Sequence, residues 1–316
     1  VILANGFGKL NNVTTNYTDV FINQAAQKIN IASIAPENTR ALLAVSFSDA
    51  KQLYSKKNKI LELQNNFWNW DKNRKLIQDS SNVNYNEFIN ELSTEAGTFS
   101  TSASQEDQQQ YCYFKAENSI TASSLLQGLI TSNKEYANHH ISTIKDVNIT
   151  ANLFGKLFEN NSPFFTVIDD YFIFGNTTAA IKYLIDNYNS RNTLENSTHY
   201  QNYSNYLSSK SNLYFYLNPG KIASTLTDKL QRNTSKLIHF NADSINQFTA
   251  FSLQMSAKKN LLLNNISLFY DTDFKENIKE EWFKQLDTSI NMKPQFVYNH
   301  FTKEEMIVVQ SDNHLL

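Results

Sequence analysis

Few residues in this chain have the types and spacing that chemistry needs. Asp271-Thr272-Asp273 with Glu276 resembles half of a calcium loop, in which alternate carboxylates turn onto one cation. The glycine that such a loop needs at its sixth position and the acid at its twelfth are Glu276 and Trp282 here. A solvated turn before a helix, with acidic groups near the helix N-terminus, is the expectation instead. His139-His140 is the only adjacent histidine pair, and neighbours on a strand point to opposite faces, so the two cannot readily share a metal. His199, His239, His300 and His314 are isolated. Gly6-Phe7-Gly8 lacks the third glycine and the following helix of a dinucleotide fingerprint and reads as a local turn.

Cys112, the sole cysteine, rules out an internal disulfide. Within Tyr111-Cys112-Tyr113-Phe114 it reads as an inert, buried thiol on a strand. Tyr200, Tyr203, Tyr206, Tyr214 and Tyr216 are aromatic enough to stack on sugar rings, as are Trp68 and Trp70 elsewhere. Tyrosines at i, i+3 and i+6 of a helix are nevertheless the pattern of a packing face. Asp169-Asp170 reads as a turn. The expectation is therefore no catalytic residue, no metal and no cofactor.

The composition narrows the partners. The chain has 316 residues and a mass of 36.3 kDa, with 18% charged, 41% hydrophobic and 13% aromatic residues. Such a chain can bury a core and is not disordered. The net charge is −2, and no Lys/Arg run suits a phosphate backbone, so nucleic acid is not an expected partner. The densest basic stretch, Lys51 to Lys59, reads as a solvated face beside a helix end. No apolar run is long enough for a transmembrane helix. A start at Val1, without a signal-peptide pattern, suggests a processed product, an excised domain or a fragment. Asparagine is abundant, at 42 residues, against 7 glycines and 4 prolines. AT-rich codons account for much of that bias.

The elements that would position any site follow from hydrophobic period. Strands are expected over 1–4, 40–47, 98–103, 109–115, 141–144, 164–168, 171–176, 213–217, 248–255, 261–270, 295–301 and 306–310. Helical spacing is weak over 21–31 and clearer over 61–78, 119–131 and 276–286. Further helices hold Leu53 and Tyr54 and surround Tyr85 to Leu92, Ala180 to Tyr188 and Tyr200 to Leu207. Asp49 and Asn176 or Thr177 are candidate N-caps, Pro219 opens a helix, and Gly97 follows one as a C-cap. Two β-runs joined by Asp169-Asp170 predict a tight hairpin that buries Phe165, Val167, Phe172 and Phe174.

The order of apolar strand, Asn turn, amphipathic stretch, proline and second β-run occurs at 1–47 and again at 263–301. On that reading residues 1–35 close an upstream module, 36–293 form the main module, and 294–316 begin a following β domain. The fold class expected is α+β, with mostly antiparallel sheets, helices packed on one face and repeated modules.

Phe164-Phe165-Thr166-Val167-Ile168-Asp169-Asp170-Tyr171-Phe172-Ile173-Phe174-Gly175-Asn176 is followed by an Ala-Ile-Leu helix, Thr193-Leu194, Tyr203 to Leu207 and Asn212 to Tyr216. With Pro36 to Leu53 as an opening strand and helix, this succession resembles domain-of-unknown-function family 3352, in its Bacteroidetes and flavobacterial version. The resemblance spans about residues 37–290. It implies an exported envelope protein of the periplasm or cell surface, often anchored at its N-terminus and often followed by a β-propeller. It brings no catalytic residues. The function it implies is a non-catalytic assembly or ligand-binding component, with other envelope proteins or glycans as partners. A carbohydrate-binding or glycan-handling surface protein is the first alternative, and a hydrolase with dispersed catalytic residues the second.

Overall fold

The computed structural model describes residues 1–10, 16–102, 108–226, 232–271, 295–301 and 304–308. They fall in two units, Val1–Phe274 and Lys275–Leu316. The elements of the first unit are β1 (Ile2–Lys9), β2 (Thr39–Ser46), α1 (Ala50–Leu63), α2 (Phe67–Ser81), α3 (Tyr85–Phe88), β3 (Leu92–Ser102), β4 (Gln108–Ala116), α4 (Ser119–Leu126), β5 (Ile130–Tyr136), β6 (His139–Ile144), α5 (Ile149–Phe154), β7 (Phe164–Ile168), β8 (Tyr171–Gly175), α6 (Thr178–Asn189), α7 (Thr198–Ser204), β9 (Leu213–Leu217), α8 (Pro219–Leu226), α9 (Arg232–Phe240), α10 (Ala242–Asn246), β10 (Phe248–Lys258) and β11 (Leu261–Tyr270). All eleven strands join one sheet in the order β1-β11-β10-β9-β2-β3-β4-β8-β7-β6-β5, and each pairing is antiparallel.

The expected hairpin is β7–β8, with Val167 opposite Phe172 and Phe165 opposite Phe174. Asp169 turns the chain at φ 51°, a left-handed conformation that a short polar side chain tolerates. Phe165, Phe172 and Phe174 are buried, and Val167 is half-buried against them. Thr177 caps α6 by accepting from Ala180 N, and Asp49 caps α1 by accepting from Gln52 N.

Successive residues of a strand face opposite ways, and β4 and β8 are apolar in both directions. Cys112, Phe114, Phe172 and Phe174 point to a first face, where they meet Leu53 of α1, Phe88 of α3, Leu126 of α4 and Phe154 of α5. Tyr111, Tyr113 and Ile173 point to a second face, where they meet Ile181 and Leu184 of α6. Tyr203 of α7 joins the same cluster. The fold is α+β and antiparallel, and its helices cover both faces rather than one. A strand that is apolar in both directions leaves one side wet under a single helical layer.

Other differences have local causes. The helix opened by Asp49 and the one expected over 61–78 are α1 and α2, but the break between them falls at Asn65, φ 56°, rather than before Leu61. The weak helical spacing of 21–31 yields only short 3-10 turns at Tyr17–Phe21 and Ile31–Ser33. Between them the Gln24 side chain accepts from Ser48 N (2.9 Å) and Asp49 N (3.0 Å), which holds the segment to the start of α1. Gly97 is no C-cap: it lies inside β3 opposite Tyr113. A Cβ there would come 2.4 Å from the Tyr113 ring and 2.6 Å from Leu43 O, so that pairing needs a glycine.

β1 is a strand as expected, and Ile31, Ile34 and Ala35 are buried in the same unit. The equivalent crossing after β11 lies in 272–294, outside the described residues, as does the helix expected at 276–286. The β3–β4 turn at 103–107 and the turn at 311–314 also fall outside them. The second unit shows a two-stranded antiparallel hairpin, β12 (Gln295–Asn299) with β13 (Glu304–Val308), in which Phe296 faces Ile307.

Candidate functional site

Cross-strand register sorts the half-sheet β1-β11-β10-β9 into two unlike faces. Ser252 of β10 stands beside Ser267 of β11 and Tyr216 of β9 on the second face. Ser252 is 1% exposed, and its hydroxyl lies 2.8 Å from Ser267 Oγ, which lies 3.3 Å from the Tyr203 hydroxyl of α7. Gln254 is also buried there and is held by Ser208: its Oε1 accepts from Ser208 N (2.7 Å) and its Nε2 donates to Ser208 O (2.9 Å). The residues between them, Phe251, Leu253 and Met255, point to the first face with Ile266 and Leu268 of β11 and Phe215 and Leu217 of β9. These are half-buried, except Ile266, which is 41% exposed. Further out on β1, Ile2 is exposed on the same face.

Over β10 and the middle of β11 the usual sense of a half-covered sheet is inverted, with polar groups under cover and apolar ones toward the open side; at the edge, Leu3 and Phe7 of β1 are exposed on the second face. Covering costs little on the second face because each serine and glutamine finds a partner. On the other side Phe215 and Met255 pack against the first-face core, while Leu253 is half-buried and Ile266 stays exposed. Where β9, β2, β3 and β4 meet, the first face dips into a shallow depression of about 250 Å³. Ala41, Leu43 and Phe215 form its floor, and Thr98, Ser100 and Gln110 edge it.

The residues singled out by sequence are dispersed. Gly6 and Gly8 are strand residues of β1 paired with Asn264 and Leu262, so the expected turn is absent. A glycine there suits a strand that packs nothing on one side. His139 Nε2 lies 3.4 Å from Asn189 Oδ1, and His140 is exposed on the other side of β6. His199 Nδ1 lies 3.3 Å from Asp271 Oδ2, while Thr272, Asp273 and Glu276 are outside the described residues. Among the described residues no three His, Cys, Asp or Glu side chains gather as a metal site would need. Cys112 is buried 3.5 Å from Phe158 O, and burial pushes its thiol up. Tyr203, Tyr214 and Tyr216 are buried in the second-face cluster rather than arrayed as a ridge, and burial pushes Tyr200 up to about 12. Trp68 is exposed.

Glu95 and Lys57 are among the buried titratable side chains that the sequence reading missed. Glu95 of β3 accepts from Asn30 N (2.8 Å), Ile31 N (3.1 Å), Tyr113 OH (3.0 Å) and Tyr171 OH (2.9 Å). Burial pushes its carboxyl up against these four donors, which pull it down. It fastens the 27–35 segment to the second face. Lys57 belongs to the basic stretch expected to be solvated, yet it is 2% exposed. Its Nζ donates to Asn152 O at 2.7 Å and sits 3.8 Å from the Trp70 ring centre and 4.3 Å from that of Tyr54. Burial, with Arg74 nearby, holds its amine well below the usual lysine range. The signal lay in the i, i+3 pair Tyr54 and Lys57, which turns the lysine stem inward along an apolar helix face.

This geometry defines a class: a single wide antiparallel sheet, helices on both faces, and one half-sheet left apolar toward solvent. The family model described as Protein of unknown function (DUF3352) matches residues 81–267, and the chain belongs to that family. No curated protein matches the chain. A solved structure described as "Structure of crystal form I of TP0453" is 7% identical, with a TM-score of 0.35, over 79% of this chain and 81% of that one. Among the described residues no helix is long and apolar enough to cross a membrane.

Proposed function

We propose that this chain is a non-catalytic binding and assembly module of the cell envelope that works through the apolar first face of β1-β11-β10-β9. One observation carries the reading: β10 and β11 turn Ser252, Gln254 and Ser267 toward cover and Phe251, Leu253, Ile266 and Leu268 toward the open side. A fold that needed these strands only for stability would gain by the opposite placement, at about 25 cal/mol for each Å² of apolar surface buried. Open apolar faces of this kind mark sites of association. The envelope placement rests on the family's resemblance to exported proteins, and other envelope components are the partners it suggests.

The test is titration with the hydrophobic dye ANS. The native protein should bind it saturably, and Leu253→Asp with Ile266→Asp should lower the signal several-fold without changing the far-UV circular dichroism. A native protein that leaves the dye dark contradicts the reading. For the compartment, fractionation of source cells should recover the chain with the envelope, and recovery in the cytosol overturns that part.

A further inference from the structure

Arg40 occupies an irregular position. The register of β2 on β3 shifts between Thr39 and Ala41, so Arg40 is the extra residue of a bulge. It is only 6% exposed, and its Nε donates to Ser100 Oγ at 3.3 Å. Ser100 edges the depression on the first face, whereas Arg40 is not itself part of the lining and meets its edge through this bond. The three ion pairs among the described residues are Arg74–Asp71, Lys75–Asp71 and His199–Asp271, and none reaches Arg40. Its terminal amino groups have no protein partner there, and they are not among the side-chain atoms sealed from solvent. A guanidinium stays charged in any protein, and a largely buried one without a counter-ion is costly. Its fork matches a carboxylate in two parallel hydrogen bonds. Next to it, Ala41, Leu43 and Phe215 offer an apolar floor without charge.

We propose that the depression between β9, β2, β3 and β4 binds a fatty-acid carboxylate, with the alkyl chain on Ala41, Leu43 and Phe215 and the acid group on Arg40. This rests on the reading of the open face as a binding surface, and it adds the occupant's chemistry: one negative charge at the end of a flexible hydrocarbon. Charge complementarity selects that occupant over a neutral one. The depression is small for a whole drug-sized ligand, which suits a narrow chain that continues over Leu217, Phe251 and Leu253.

The test compares decanoate with 1-decanol, both below the concentrations at which they aggregate, by competition with ANS at a pH where decanoate is ionised. The native protein should bind decanoate at least tenfold more tightly than decanol. Arg40→Gln should erase that preference while leaving decanol unchanged. Gln110→Trp, at an exposed position on the rim, should fill the depression and weaken both. Equal binding of the two probes by the native protein overturns the anion site but leaves the open face as a binding surface. If ANS binds and neither probe displaces it, the fatty-acid proposal falls and the open face stands. Binding to vesicles of phosphatidylglycerol and phosphatidylcholine without binding of decanoate would assign the face to a membrane surface and overturn the fatty-acid proposal. Should Arg40→Gln not fold, the native preference and the Gln110→Trp result still decide.

Discussion

The β4–β8 pair and the β10–β11 pair belong to the same antiparallel sheet, yet they treat side chains in opposite ways. β4 and β8 bury aromatic rings on both sides: Phe114 stacks on Phe172 with ring centres 5.1 Å apart, and Tyr111 stacks on Phe99 at 4.6 Å. β10 and β11 bury hydroxyls and an amide on one side and leave Phe251, Leu253 and Ile266 toward solvent on the other. The two edges differ in the same sense. β5 carries Asn133, Lys134 and Glu135, the charged type of edge that discourages further pairing, whereas β1 offers Ile2, Leu3 and Phe7 with a single Lys9. One end of the sheet is therefore built as a closed core, and the other leaves apolar side chains open, the face we propose for association.

The largest effect should be Phe172→Ala at the closed end, a loss of about 3–5 kcal/mol in denaturant unfolding. Ring neighbours at Phe114 and Phe165 leave little room for collapse around the cavity. A loss below about 1 kcal/mol would dissolve the distinction between the ends. Glu95→Gln comes next, at about 2–4 kcal/mol, because an amide nitrogen would face donors that now point at an oxygen. If urea melts of this variant match those of the native protein, Glu95 does not fasten the 27–35 segment.

Lys57→Met sharpens the account through pH. Burial depresses the native amine, so below the ordinary lysine range the unfolded chain binds more protons than the native one. Native stability should therefore rise as pH rises toward that range and fall as pH drops through the lowered value. The Met variant should lack this slope, and equal slopes for the two proteins would contradict the burial of the amine. The smallest effect is expected at the open end: Ile266→Ala should cost less than about 1 kcal/mol in the same unfolding assay.

Local patterns carried much of the fold. Alternating apolar runs marked the strands, the two acids at 169–170 marked the hairpin, and Thr177 and Asp49 marked helix starts. The alternation of Phe251, Leu253 and Met255 with Ser252 and Gln254 was equally visible. Which of those two sets would be covered was not, because that depends on α7 and the 27–35 segment, both distant in the chain from β10. Burial of Arg40, Lys57 and Glu95 was hidden for the same reason. A charged residue reads as exposed until the backbone carbonyls, ring faces or hydroxyls that receive it are known, and those come from other elements. Gly97 was misplaced because its reason is Tyr113 on the next strand, not a helix end.

The central claim, that one sheet is a closed core at one end and an association surface at the other, meets its most direct test in native-state hydrogen exchange. Amides of β4 and β8 should exchange only through global unfolding. Amides of β1 and β11 should open at a free energy clearly below the global value, because little packs on their first face. Uniform protection from β1 to β8, at the global free energy throughout, would contradict the account.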